Sequence, residues 1–456
     1  LALGASFRDP SGFVFRRDGV LLRQVNKVYE TDFRTLLDSG LHDELVEAGL
    51  LIPAERLGTD LALTSDALDV LRPELVPFIS YPYEWAFSQL KDAALATLDA
   101  MSIAFGAGMV LKDASAYNVQ FLRGKPILID TLSFERYVEG EPWIAYRQFC
   151  QHFLAPLALM AHADVRLSAL TRTFIDGIPI DLASKLLPQS TWLKPGLTAH
   201  IRLHGRATAK PPGEASRPLR VSRTALSALL QSLRSTVVNL RWEPKGTRWV
   251  DYYGETNYTA RAMARKRQMV SEYISAIEPQ ISTCWDLGAN TGEFSNIAAS
   301  AGVETVAFDF DPAAVEQAYL SVKAKRTGNV LPLLLDLTNP SPDQGWASAE
   351  RDSLSRRGPA DLVLALALVH HLAIGNNVPL PLVADFFASL CTWCIVEFVP
   401  KEDSQVRRML AQRKDIFKHY DLDGFESAFF KRFDVVKREQ IAGTDRTLYL
   451  LRVSRP

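Results

Sequence analysis

Trp285–Phe294 reads WDLGANTGEF, between the apolar run STCW and a helical pattern that continues through Ala301. Gly288 and Gly292 let a backbone turn tightly and approach a ligand, and the helix after them presents its N-terminus to that ligand. Outward from this turn, strand and helix alternate. ETVAFDF, VLPLLLDL, ADLVLALAL and CIVEFV are apolar runs, with helical patterns through Lys325 and from Leu380. Short apolar runs separated by helices predict parallel strands covered on both faces. FDVVKREQI and TLYLLRV, joined by AGTDR, predict a closing antiparallel hairpin.

Three aspartates fall where these strands end. Asp286 stands two residues before Gly288, Asp309 lies in VAFDFD and Asp336 in LLLDLT. A carboxylate at Asp309 suits both hydroxyls of a ribose. One at Asp286 suits a cationic tail and repels a pyrophosphate. Taken singly, each serves equally well as a helix cap. Jointly, Asp286, Gly288, Asn290, Gly292, Asp309 and Asp336 resemble the S-adenosylmethionine site of class I methyltransferases, over residues 250–456.

The resemblance implies an α/β, Rossmann-like sheet of order 3-2-1-4-5-7-6 with its last strand antiparallel, and S-adenosylmethionine as cofactor. It implies a covering helix before the first strand, where Tyr253 and Tyr258 surround the sulfonium methyl and Lys266 or Arg265 meets the cofactor carboxylate. His370 and His371, in LVHHL after the fourth strand, offer a base for the acceptor's proton or a packing surface under the methionine tail. Glu397 and Asp403, at the end of the fifth strand, are rival bases. Methyl transfer from a sulfonium depends mainly on alignment, so a base is optional.

The front half carries a second pattern. In LKDASAYNVQFLRGKPILID, Asp113, Asn118 and Asp130 keep the spacing of the catalytic loop and later metal aspartate of aminoglycoside-phosphotransferase-like kinases, a resemblance over residues 10–190. It implies an α+β kinase-like fold. No GxGxxG loop precedes the motif, Arg23 stands where a phosphate-binding lysine belongs, and Thr131-Leu132 replaces Phe-Gly, so an inactive accessory domain is expected. The bland alternative is that Asp113 and Asn118 cap and turn a loop.

With 456 residues, 51 basic and 52 acidic side chains, the chain exceeds the single-core limit of about 250–300 residues and lacks the charge to capture nucleic acid in bulk. The expected division is a kinase-like domain over 1–200, a basic Pro/Gly linker over 201–222, a helical cap and cofactor-covering segment over 223–280, and the methyltransferase domain over 281–456. The basic stretch with Trp242, Trp249, Tyr252 and Tyr253 reads as linker and cover rather than as a stacking surface for nucleic acid. FLAPLALMA and LVLALALV are too short to span a bilayer. The opening residues lack a signal-peptide pattern. Cys150, Cys284, Cys391 and Cys394 form neither a disulfide framework nor a metal site, so no metal and a cytoplasmic location are expected. The expected activity is methyl transfer to oxygen or nitrogen of an acceptor, a small molecule or sugar before a protein. A bifunctional phosphotransferase/methyltransferase and a non-catalytic S-adenosylmethionine-binding scaffold are the alternatives.

Overall fold

The computed structural model describes residues 3–208, 220–244, 258–411 and 414–454. The chain forms two units: Leu1–Glu243 with Asp343–Arg351, and Pro244–Pro342 with Asp352–Pro456.

The first unit opens with a hairpin, β1 (Gly12–Arg17) and β2 (Val20–Asn26), whose turn residues Asp18 and Gly19 both have positive φ. Two such residues match the right-handed twist of the flanking strands. β3 (Ala54–Arg56) and β4 (Ala67–Pro73) complete an antiparallel sheet of order β1-β2-β4-β3. The helix Phe87–Gly106 buries Leu90, Ala94, Leu98 and Met101 and ends at its glycine. After it, β5 (Met109–Leu111) pairs with β8 (Phe134–Arg136), and β6 (Val119–Leu122) with β7 (Lys125–Leu128).

The expected boundary moves. Residues 198–208 are helical rather than linker, because Ile201 is core and the buried Arg202 caps carbonyls: its Nη2 donates to Leu187 O at 3.0 Å and Pro188 O at 2.7 Å. The helix Arg223–Asn239, grouped with the cofactor cover on sequence grounds, belongs to the first unit. Ser222 caps it, Leu226, Leu230, Leu233 and Val237 are buried, and Lys91 Nζ donates to Val238 O and Leu240 O at its end. Residues 209–219, half of the expected linker, and Trp249, Tyr252 and Tyr253 lie outside the described residues.

Asp343–Arg351 belongs to the first unit although it follows the third strand of the second unit's sheet. There the Arg8 guanidinium forks onto Glu350, Nε to Oε2 at 3.0 Å and Nη2 to Oε1 at 2.7 Å. Gln344 Nε2 donates to Arg172 O, and the Arg351 guanidinium lies 4.2 Å over the Tyr117 ring.

The second unit is built on a seven-stranded sheet of β9 (Thr283–Leu287), β10 (Glu304–Asp309), β11 (Val330–Leu334), β12 (Ala360–Ala365), β13 (Cys391–Phe398), β14 (Phe433–Gln440) and β15 (Thr447–Val453). Its order is β11-β10-β9-β12-β13-β15-β14, or 3-2-1-4-5-7-6 counted along the chain. β9 to β13 are parallel and β15 runs against both its neighbours. The helix Ala260–Ser275, capped by Thr259, packs Met269, Val270, Tyr273 and Ile274 onto Leu362, Leu364, Ile395 and Leu450 of the sheet. All four cysteines are free and buried. Among the described residues no helix is long and apolar enough to cross a membrane.

Candidate functional site

Parallel strands bring their carboxyl ends to one edge, and the turn between β9 and the helix Glu293–Ser300 lies there. Gly288 N and Ala289 N both donate to Phe308 O at 2.9 Å, which pulls the turn across β10. Gly288, Asn290 and Gly292 all have positive φ, so the two glycines and the asparagine sit where larger residues strain the backbone. A Cβ on Gly288 would meet Leu368 Cδ1 at 3.2 Å, so only glycine lets the turn lie this close to the segment after β12.

Asp309 fastens the turn. Its Oδ2 accepts from Asn290 N at 2.8 Å and its Oδ1 from Asp311 N at 2.9 Å. Asp286 accepts from Ser295 Oγ at 2.6 Å. Both carboxyls are buried, and burial pushes each up to about 6, against those hydrogen bonds. Asp336 lies two residues beyond the end of β11, is exposed, and accepts from Thr338 N and Oγ1 in a local turn.

Beside Asp286 lies a buried array of charges. Lys266 Nζ is 2.6 Å from Glu397 Oε2, and Arg446 Nη1 donates to Glu397 Oε1 at 3.2 Å. Arg446 Nε donates to Asp403 Oδ2 at 2.8 Å, and the Tyr258 hydroxyl donates to Glu397 Oε1. The Tyr258 ring carries the Arg446 guanidinium at 4.4 Å and the Lys266 ammonium at 5.1 Å. Burial alone would raise Glu397, yet the cations of Lys266 and Arg446 outweigh it and hold the carboxyl at about 2.

That array bears on four of the residues expected at the site. Glu397 is too weak a base to take an acceptor's proton, because its negative charge is spent on two cations. The Tyr258 ring faces two of the chain's own cations, Arg446 and Lys266, and Lys266 is paired with Glu397. Asp403 pairs with Arg446 and caps the helix Ser404–Leu410. Arg265 makes exposed ion pairs with Glu272 and Glu439.

His370 is buried five residues beyond β12, its ring 4.1 Å from that of His371. Burial pushes His370 well below the usual imidazole range and His371 to about 4, and the nearby Arg446 charge acts in the same direction. Both are neutral at neutral pH. Among the described residues His370 Nδ1 has no hydrogen-bond partner.

Sequence reasoning missed three residues here. Ser295 is one turn into the helix after the glycines, and Arg446 sits in the AGTDR hairpin turn, which reads as surface. Phe310, flanked by Asp309 and Asp311, is 57% exposed and could have been found as an apolar residue inside an acidic strand end.

In the first unit the structure links the residues of the other motif. Asp113 Oδ1 accepts from Ser115 N and Gln148 Nε2, and Asn118 hydrogen-bonds Asp113. Asn118 Nδ2 reaches Ser133 Oγ at 3.2 Å, and Ser133 Oγ donates to Asp130 Oδ2 at 2.7 Å. Arg23 of β2 forms an ion pair with Asp130 Oδ1. Among the described residues no group of three His, Cys, Asp or Glu side chains is set to hold a metal.

The chain is 38% identical over 458 residues to the nodulation protein NoeA of Rhizobium meliloti (strain 1021), covering 98% of this chain and 95% of that one. No family model matches. Among solved structures it is similar to the N-methyltransferase NodS from Bradyrhizobium japonicum WM9, at 13% identity and a TM-score of 0.30 over 43% of this chain and 98% of that one. It is similar to magnesium protoporphyrin IX methyltransferase (ChlM) from Synechocystis PCC 6803 with bound SAH, at 17% identity and a TM-score of 0.32 over 45% and 93%. A third is the bifunctional kinase-methyltransferase WbdD, at 15% identity and a TM-score of 0.30 over 44% of this chain and 41% of that one, so the match spans less than half of that neighbour.

Proposed function

The chain belongs to the family of the nodulation protein NoeA, and from that premise we propose that it is an S-adenosylmethionine-dependent methyltransferase acting on oxygen or nitrogen of a small-molecule or sugar acceptor. One observation carries the reading: two buried carboxyls, Asp286 and Asp309, flank the Gly288–Gly292 turn at the ends of adjacent parallel strands, and burial holds both near 6.

Two carboxylates beside a turn repel a pyrophosphate, which weighs against a dinucleotide. They fit a ligand with an ammonium and a ribose, because a cation relieves the cost of ionising Asp286, and Asp309 keeps a lone pair for a hydroxyl donor beyond its bonds from the Asn290, Phe310 and Asp311 backbone. Phe310 offers an apolar ring next to Asp309 for a base. S-adenosylmethionine supplies a methyl group already activated by its sulfonium. The residues therefore act by alignment and exclusion of water more than by acid–base chemistry. His370 and His371 are neutral hydrogen-bonding groups, and the ion pairs around Glu397 brace the helix Ala260–Ser275 against β13.

Calorimetry on the full chain tests this. S-adenosylhomocysteine should bind and NAD should not, and Asp309→Asn should weaken the first at least tenfold. Binding of NAD, or an unchanged affinity in the variant, overturns the reading.

A second reading, phosphotransfer in the first unit, draws on the linked Asp113, Asn118 and Asp130. The Arg23 ion pair counts against it, and an accessory role is the better fit.

A further inference from the structure

We propose that Phe7 and Trp346, joined through the ion pair of Arg8 with Glu350, form a surface platform of the first unit that binds a neutral sugar ring. The inference deepens the sugar arm of the proposed function and rests on it: the first unit then recruits the acceptor.

Trp346 is 73% exposed and Phe7 54%, and both belong to the first unit. Glu350 ties them together. It is buried, and its Oε1 accepts from Arg8 Nη2 and from the Trp346 backbone N–H, each at 2.7 Å. The Arg8 guanidinium in turn lies 5.6 Å from the centre of the Phe7 ring. Just after Trp346 the backbone is strained: Ala347 and Ser348 have φ of 53° and 54°, in the left-handed region that side-chain-bearing residues avoid. Strain of this kind persists only where the surroundings impose it, and it gathers at ligand clamps. Here a buried carboxylate and a guanidinium fork impose it, and what they hold in place is an indole facing water.

The chemistry of the platform selects its occupant. Arg8 is neutralised by Glu350, and Asp176 adds further negative charge at the guanidinium, so the patch draws neither a phosphate nor a nucleic acid. Two aromatic side chains cover at most about 500 Å², short of the roughly 800 Å² a side of a standard protein interface. A pyranose has the matching features. Its C–H face is apolar and packs on an aromatic ring, and the hydroxyls at its rim hydrogen-bond to a charged group such as Arg8, whose side chain is 57% exposed.

Saturation-transfer difference NMR on the full chain, with maltotriose, cellotriose and triacetylchitotriose as probes, tests the proposal. At least one probe should take up saturation from the wild type. Trp346→Ala and Phe7→Ala should each lower that signal at least fivefold at an unchanged melting temperature, and Trp346→Tyr, which keeps a ring, should retain most of it. Affinity for S-adenosylhomocysteine, measured by calorimetry on the same variants, should not change. A wild type that binds no S-adenosylhomocysteine therefore counts against the methyl-transfer reading, and a missing sugar signal counts against this one. The platform is overturned if none of the three probes is saturated by the wild type, if both alanine variants keep the signal, or if a heparin disaccharide gives a stronger signal than the neutral sugars. A dimer in light scattering that Trp346→Ala dissolves also overturns it, because a second copy then covers the ring.

Discussion

Lys266 Nζ and Glu397 Oε2 stand 2.6 Å apart with side chains 3% and 0% exposed, a charge pair sealed between the helix Ala260–Ser275 and the end of β13. Such a pair is costly to form and costlier to break, because removing one partner strands the other charge away from water.

Glu397→Ala should accordingly destabilise the second unit by about 3–5 kcal/mol, the range for an uncompensated buried charge. Lys266→Met combined with Glu397→Gln should recover part of that loss. Urea denaturation followed by tryptophan fluorescence measures both, and a Glu397→Ala transition within error of wild type would remove the pair from the fold's support.

Acid should act on the same pair. Glu397 sits at about 2 in the folded chain, below its unfolded value of about 4.3, so its contribution is fully present above the unfolded value and lost as pH falls toward 2. Between those limits Glu397→Gln should show a shallower loss of stability than wild type in acid melts.

Asp286 and Asp309 work in the opposite sense. Each is raised to about 6, so the protonated folded form is favoured, and the stability they contribute is lost as pH rises through 6. Under the proposed function the ionised forms bind the ligand. The thermal shift given by S-adenosylhomocysteine should then grow from pH 5 to pH 7.5, and Asp309→Asn should flatten the rise.

The two glycines of the turn should not respond alike. Both have positive φ, but a Cβ at Gly292 meets nothing closer than 3.8 Å, whereas one at Gly288 presses on Leu368. Gly292→Ala carries only a backbone cost of about 1–2 kcal/mol. Gly288→Ala should cost more in ligand affinity, measured by calorimetry on variants of equal melting temperature.

Fragments should obey the observed boundary. One beginning at residue 220 keeps the helix Arg223–Asn239 without the partner that buries Leu226, Leu230, Leu233 and Val237, and should aggregate. One beginning at residue 244 loses that stripe and should stay in solution longer on size-exclusion chromatography.

Much of the second unit was legible because strands buried on both faces read as unbroken apolar runs, and because a turn needing positive φ announces itself by Gly288 and Gly292. The charge array was not. Lys266, Glu397 and Arg446 come from a helix, a strand end and a hairpin turn, and a charged side chain reads as surface until its partner is placed beside it. Glu397 was visible as a candidate base for that reason, whereas the two cations that hold its carboxyl low were not. The leucine stripe of Arg223–Asn239 showed that something is covered but not by what, so the boundary was drawn on the wrong side of it. Arg23 was read as a poor lysine, whereas its ion pair depends on Asp130, 107 residues away.

The return of Asp343–Arg351 to the first unit has a consequence for synthesis. Arg8 leaves the ribosome 342 residues before Glu350. At about 5–20 residues per second it waits roughly 17–70 s for its partner. By then β9, β10 and β11 have already been made. The unit that begins the chain is thus finished out of turn, its last piece delivered from within the sequence of the other, and a nascent chain halted anywhere before residue 351 holds an incomplete front half.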